Sequence, residues 1–438
     1  MSGSPIQTST PSKLMLTPDK DALLAEFQGK PIQGLRTPAA VIDRSIFAQN
    51  CARMHETAKQ WDASFRAHVK THKTAEGVRL QLASRSDATH AVVVSTLMEA
   101  WGIVDAGLVT EGVVKDILYG LPVAVNKVAD LTALAEVLAR SGASVRILID
   151  NPEQIKFLEE FANKSGSTRK WSTFMKVRAG DKRAGLDPSS PEFRVLLELA
   201  IESPIIEVFG FYCHAGGSYS STSQGEASKY LSSEVNAVND AAGLGLSILE
   251  QDGKQQDKQH FILSVGSTPT AHAATVESRA KLNALLNGRL ELHAGNYPLL
   301  DLQQLHTSMI DRSRIAQKVL ATVVSYYPGR GADGTDEALC DAGAIAMSKD
   351  TGPSGSFGEV VGKTWKLGRV SQEHGILTRD GATTPADADK LDIGEVVQIV
   401  GQHACLTLAA YPWYYVVDSS DGSNPSVVAD VWVPWKGW

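Results

Sequence analysis

The run Phe65-Arg66-Ala67-His68-Val69-Lys70-Thr71-His72-Lys73-Thr74 sets ionisable side chains at alternate positions. Strand side chains alternate between faces, so Arg66, His68 and Lys70 share one face and Phe65, Ala67 and Val69 the other. Cations on a buried face are costly unless an anion lies opposite them. A solvated edge strand would avoid that cost. Lys70 closes the run and carries an amine suited to covalent and proton-transfer chemistry. Lys73 is the rival, but it lies past the strand, where the chain is expected to loop away. A second constellation is Gly401-Gln402-His403-Ala404-Cys405-Leu406-Thr407. Read as a strand, it puts the imidazole of His403 and the thiol of Cys405 on one face, able to share a borderline-soft metal such as zinc. Two protein ligands leave positions for water and substrate, as a catalytic zinc requires. The plain alternative is a core histidine beside a buried cysteine.

The elements that must position these groups follow from hydrophobic pattern. Short β-rich runs occur at Phe65–Lys70, Ala91–Ser95, Asp116–Tyr119, Arg146–Ile149, Thr173–Val177, Val208–Cys213, Phe261–Val265 and Leu290–His293. Amphipathic segments such as Leu131–Arg140, Pro152–Asn163, Pro191–Ile201 and Gly225–Gly243 lie between them. This α/β alternation predicts a parallel (β/α)8 TIM-type barrel. An open doubly wound sheet would want a GxGxxG turn after an early strand, and the chain has none there. Barrels bear their chemistry at the C-terminal ends of the strands. Lys70 ends the first, His214 the sixth, Ser264-Val265-Gly266-Ser267-Thr268-Pro269-Thr270 the seventh, and Ala294-Gly295-Asn296-Tyr297 the eighth. The last two are small-residue loops with hydroxyls and backbone N–H groups, the usual place for a barrel to bind phosphate. A lysine facing such loops suggests pyridoxal phosphate (PLP), whose aldehyde needs a lysine Schiff base.

After Asp311 the texture changes. Ala316–Tyr326, Glu395–Leu408, Trp413–Val417 and Val427–Val433 read as strands, separated by the loops Pro328–Asp336 and Lys349–Gly358 and by the turn 421–425. The predicted organisation is an N-terminal arm over residues 1–36, a barrel domain over 37–310, and a mostly β C-terminal domain over 311–438 carrying His403 and Cys405. Thr37–Asp43 is expected to be a strand before the barrel that pairs with the later domain. Residues 251–260 read as a solvated loop.

With 438 residues and 43% hydrophobic content the chain can bury more than one core. A net charge of -7 with mixed signs speaks against nucleic acid, and no apolar run reaches membrane-spanning length. Cys51, Cys213, Cys340 and Cys405 are widely spaced, and the Ser-, Thr- and Pro-rich start lacks a signal-peptide core. A cytosolic protein is expected.

These motifs resemble the eukaryotic-type D-serine dehydratases among the alanine-racemase-like, fold type III PLP enzymes, with D-threonine aldolases and D-threo-3-hydroxyaspartate dehydratases as relatives. The resemblance rests on Thr37-Pro38, His68-Val69-Lys70-Thr71-His72-Lys73, His214-Ala215-Gly216 with Ser218-Tyr219, the Ser264–Thr270 loop, Gly295-Asn296-Tyr297, Asp341-Ala342-Gly343, Glu373-His374-Gly375 and His403-Ala404-Cys405. It implies that Lys70 is the Schiff-base lysine and that Tyr212 and Tyr219 line the cofactor. Gly266, Ser267, Gly295 and Asn296 would hold its phosphate, and His403 with Cys405 would bind Zn2+. It further implies a homodimer, a small D-amino acid as substrate, and elimination of water from D-serine to give pyruvate and ammonia. The freed Lys70 amine is expected to take the α-proton, helped by Arg66 and His68 as cationic neighbours. Retro-aldol cleavage, as in D-threonine aldolase, is the alternative; the aldolases tend to carry His-x-Asp, so Cys405 favours the dehydratase. Two departures stand out: Ala67, where many relatives carry proline, and His293-Ala294, where an Arg-Pro pair is common.

Overall fold

The computed structural model describes residues 14–438 apart from 86, 181, 254–256, 258, 282–285, 380–388 and 421. The first part of the N-terminal arm, much of the 251–260 loop and the first residue of the 421–425 turn therefore lie outside the described residues. Strand β1 (Ala39–Asp43) leads into the helix Arg44–Gln60. Asp43 caps that helix, its carboxylate accepting from the N–H groups of Ser45 and Ile46. Eight parallel strands follow: β2 (Ser64–His68), β3 (Ala91–Val94), β4 (Asp116–Pro122), β5 (Ser144–Ile149), β6 (Trp171–Val177), β7 (Ile206–Cys213), β8 (Ile262–Val265) and β9 (Arg289–Ala294). They close into a barrel, with β9 pairing back on β2. Each expected run is there, and the fold is the predicted TIM-type barrel.

Val93, Leu118, Leu148, Phe174, Tyr212 and Ile262 fill the barrel interior. Phe65, Ala67 and Val69 are buried on the outer face of β2. Arg66 points inward and is 1% exposed. Its Nε lies 2.8 Å from Glu291 Oε1 and its guanidinium 2.7 Å from Asp116 Oδ1. Ser264 donates to the same Glu291 oxygen at 2.8 Å, and Arg146 reaches Asp116 at 2.7 Å. Burial opposes ionisation of Asp116, but Arg66 and Arg146 outweigh it and hold the carboxyl below its ordinary range. The anions that the basic face of β2 requires are thus the protein's own, and Arg66 is not an unbalanced cation beside Lys70.

The later strands are β10 (Gln317–Tyr327), β11 (Glu337–Cys340), β12 (Gly358–Val360), β13 (Trp365–Val370), β14 (Gly375–Arg379), β15 (Val396–Gly401), β16 (Tyr414–Val417) and β17 (Asp430–Trp432). The sheet order is β11-β14-β13-β12-β15-β10-β1-β16-β17, and a further β10–β11 pairing closes its first six strands on themselves. As expected, the strand before the barrel belongs to this sheet: β1 runs antiparallel to β10 and parallel to β16. Two runs are shorter than their sequence suggests. Residues 427–433 join the sheet only over β17, with Val427 and Val428 pairing instead with the N-terminal arm at Gly29–Pro31, and the apolar run 395–408 leaves the sheet at Gly401. Among the described residues no helix is long and apolar enough to cross a membrane.

Glu291→Gln should lower stability by about 3 kcal/mol, because it leaves a buried guanidinium short of one counter-charge. Reversible urea unfolding would show this as a lower midpoint with an unchanged slope. A loss below about 0.5 kcal/mol, typical of a surface substitution, would mean that Asp116 alone balances Arg66.

Candidate active site

Lys70 lies two residues beyond the end of β2, on its inward face, and lines a cavity at the barrel mouth with His68, Gly120, Lys176, Arg183, Tyr212 and His214. A Cβ at position 295 would come within 3.2 Å of Lys70 Cε and 3.3 Å of His68 Cβ, so glycine there makes room for the lysine stem. Lys73 turns away in the left-handed region (φ 55), and its Nζ sits 3.0 Å from Glu99 Oε1, a wholly buried carboxylate. That pairing removes the rival, and Lys70 faces the cavity together with Lys176, whose Nζ lies 3.2 Å from the Val177 carbonyl. His68 is not the expected cation. Burial, then the positive charge of Lys70, holds its imidazole neutral.

Two more neutral imidazoles face the same space. His214 Nδ1 lies 2.8 Å from the carbonyl of Gly266, which can only accept, so Nδ1 carries the proton and Nε2 is a bare acceptor. Burial and then the charge of Lys70 push this ring down to about 3. Ser264 spends its one hydroxyl proton on Glu291, so it accepts from His293 Nδ1 at 3.0 Å. His293 Nε2 is likewise buried without a partner, and the Tyr212 ring stacks on His293 at 4.1 Å and 8°.

The phosphate-type loops meet as expected. Gly266 adopts φ 142, and a Cβ there would lie 2.1 Å from the carbonyl oxygen of His293, so the backbones following β8 and β9 touch. Ser267 Oγ is 2.7 Å from Ser218 Oγ and 2.9 Å from Thr270 Oγ1. The Tyr219 phenol reaches the Thr268 N–H; burial raises it, and Lys70 opposes that shift. Asn296 donates its backbone N–H to Thr268 Oγ1 at 3.1 Å, and its Oδ1 is buried without a partner. Tyr212, Tyr219, Gly266, Ser267, Gly295 and Asn296 therefore gather with Lys70 at one end of the barrel. This hydroxyl-rich cradle, with orphaned polar atoms beside an amine, fits a phosphorylated aldehyde.

His403 and Cys405 also reach this end, but not as a strand pair. His403 is the extended N-cap residue (φ -142, ψ 100) of the short helix Ala404–Thr407, which carries Cys405 in its first turn. The chain leaves the sheet because the N–H of Ala404 bonds the Asp301 carboxylate at 2.8 Å instead of a neighbouring strand. The ligand pair survives the change of element. Burial opposes protonation of His403, but its bond to Cys405 and the nearby Asp350 raise it to about 9. Its Nδ1 is 2.8 Å from Asp350 Oδ2, so Nε2 is the nitrogen that would ligate a metal, on loss of the proton that the ring holds beside Cys405. Burial raises the Cys405 thiol, but His403, Lys70 and Thr71 together bring it below its ordinary value, toward the thiolate that binds metal. Thr71 Oγ1 lies 3.0 Å from Cys405 Sγ, so the residue after Lys70 touches the thiol. Among the described residues no group of three or more His, Cys, Asp or Glu could hold a metal.

Sequence reasoning missed Asp301, Asp350 and Glu234. Asp301 precedes an apolar helical turn and carries an N-cap signal; Asp350, inside a Gly- and Pro-bearing loop, carries none.

A (β/α)8 barrel with a lysine at its mouth, joined to a β domain whose cysteine reaches that lysine's neighbour, defines an alanine-racemase-like enzyme. The family described as alanine racemase, N-terminal domain, matches residues 42–252, and the putative serine dehydratase domain matches residues 316–417. The chain is 42% identical to the D-serine dehydratase of Schizosaccharomyces pombe across 98% of both chains. It is 36% identical to that of Saccharomyces cerevisiae, across 95% of this chain and 99% of the relative. A cysteine-to-alanine mutant of D-threo-3-hydroxyaspartate dehydratase in its metal-free form superposes with a TM-score of 0.77 at 27% identity, over 93% of this chain and 100% of that one. The chain belongs to the D-serine dehydratase family, PLP-dependent dehydratases of hydroxy D-amino acids.

Glu234, fully buried, accepts the Ala215 N–H at 2.6 Å behind the His214 loop. Burial raises its carboxyl from 4.5 to about 7 despite that bond. The folded state therefore binds the proton more tightly than the unfolded chain, and stability falls as pH rises from about 4.5 to about 7. Glu234→Gln should remove up to about 3 kcal/mol of that slope, making the variant relatively more stable at pH 8 than at pH 5. Parallel unfolding curves for both proteins across this range would disprove the raised carboxyl.

Proposed function

We propose that this protein is a cytosolic, homodimeric, PLP- and zinc-dependent D-serine dehydratase that forms pyruvate and ammonia. The observation that carries the reading is the 3.0 Å contact between Cys405 and Thr71, which brings the His403–Cys405 pair beside Lys70. Held by Lys70, Tyr219, Ser267 and Asn296, PLP would supply an electron sink for the α-carbon, and zinc on His403 and Cys405 would supply a Lewis acid for the departing hydroxide.

The chain's own residues do the rest. Lys70 Nζ takes the α-proton of D-serine, from the side of the cavity on which it stands. Thr71 and Asp350 orient the thiol and the imidazole, so that the donor atoms face that cavity. Neutral His68 and His214 shape the pocket without adding charge that would repel the lysine's proton. The α-proton taken by Lys70 and the β-hydroxide that departs together make up the water lost, and the 2-aminoacrylate released hydrolyses to pyruvate and ammonia. Cysteine as the second ligand, a softer donor than aspartate, favours this elimination over retro-aldol cleavage. Cys51, Cys340 and Cys405 are free thiols, which suits a reducing compartment. Ile345 (55% exposed) and Leu406 (47% exposed), on packed short helices beside the metal pair, support a partner subunit covering that face.

Lys70→Ala should abolish the absorbance of lysine-bound cofactor and reduce turnover at least about 1,000-fold. Cys405→Ala should keep that absorbance but lose bound zinc and at least about 100-fold in turnover. Assaying keto acid against aldehyde with D-serine and D-threonine decides the reaction class. Aldehyde and glycine as the main products would replace elimination with retro-aldol cleavage.

A further inference from the structure

Asp301 stands between the two halves of the site. It is wholly buried, five residues past Asn296 and 103 before Ala404. Its Oδ2 accepts from the Asn296 side-chain amide at 2.5 Å and from the Ala404 N–H at 2.8 Å. Its Oδ1 accepts from the Gln304 N–H at 2.9 Å, capping the helix Leu302–Leu305. One carboxylate thus holds the loop after β9, the turn that follows it, and the residue between His403 and Cys405. The short helix carrying Cys405 has no side-chain cap of its own from His403, and the Asp301 oxygen takes that place. A neighbouring backbone bond, Gln303 N–H to the Gln402 carbonyl at 3.1 Å, joins the same two segments but cannot set the tilt of the following turn alone.

We propose that Asp301 is a positioning residue that fixes the His403–Cys405 pair against the Asn296 loop, and so against Lys70; the proposal rests on reading that pair as the metal site. No uncharged substitute fills the role. An Asn amide would have to point its NH2 either at the Gln304 N–H or at the Asn296 and Ala404 donors, and each choice sets donor against donor. The bond can also be cut from its other end. Ala404 is the first residue of its helix and His403 is extended before it, so the backbone there suits proline, which removes the N–H that Asp301 holds and sets a ring carbon against that oxygen in this buried position.

The test uses D301N and A404P in the full chain loaded with PLP. Both should keep the absorbance of lysine-bound cofactor while zinc affinity, read by chelator competition, falls about 10- to 100-fold, with kcat restored in part by excess zinc. A second readout needs no metal: Cys405 is the one cysteine that is not buried, and its iodoacetamide labelling rate in metal-free protein reports where the turn sits. That rate should change at least about five-fold at fixed pH in either variant. If one variant does not fold, the other decides. Zinc affinity and labelling within two-fold of wild type, with only the melting temperature lowered, would overturn the proposal and leave Asp301 a structural residue. If the wild-type protein binds no zinc, the metal reading fails separately, and the labelling rates still decide the placement.

Discussion

Closure of the barrel between β2 and β9 is the constraint on which the site depends. These strands lie more than 220 residues apart in the chain, yet their pairing sets Ala67 opposite Ala294. That register carries Lys70 to Gly295 and leaves no space there for a side chain. Ala67 and Ala294 face each other across that ladder. Proline lacks the N–H that a ladder uses, so alanine at both places allows fuller pairing at the seam.

Charge is arranged in layers along the barrel axis. Deepest lie Arg66, Arg146, Asp116 and Glu291, an ion network that balances itself. Above it come the imidazoles of His68, His214 and His293, each kept neutral by burial. The amine of Lys70 stands at the top, near solvent and the thiol of Cys405. Keeping the middle layer neutral matters because like charges this close in a poor solvent would be strongly repulsive. Lys73 shows the same economy: its charge is spent on Glu99 instead of competing for the cavity.

Much of this was legible in the sequence. Eight β-rich runs separated by amphipathic segments gave the barrel, because buried parallel strands are dense in Val, Ile and Leu. Lys70 and the Ser267 and Asn296 loops were readable from their places at strand ends. The strand placement of His403 and Cys405 failed because Val396–Gly401 continues in apolar residues, while a distant carboxylate redirects the backbone. Hydrophobic period cannot see a bond formed across 103 residues. The counter-ions of Arg66 are hidden from local pattern for the same reason: Asp116 and Glu291 lie on other strands. Local pattern finds elements and strand ends; it does not find long-range polar partners.

The place of β1 has a consequence for biosynthesis. This short apolar segment is made before the barrel, but its partners β10 and β16 are translated only after the whole of it, the latter some 370 residues on. At ordinary elongation speeds that interval is on the order of tens of seconds, during which a sticky ribbon of backbone waits unpaired. The two flanks of β1 are therefore filled at different times, the β10 side first and the β16 side only when the last strands are made.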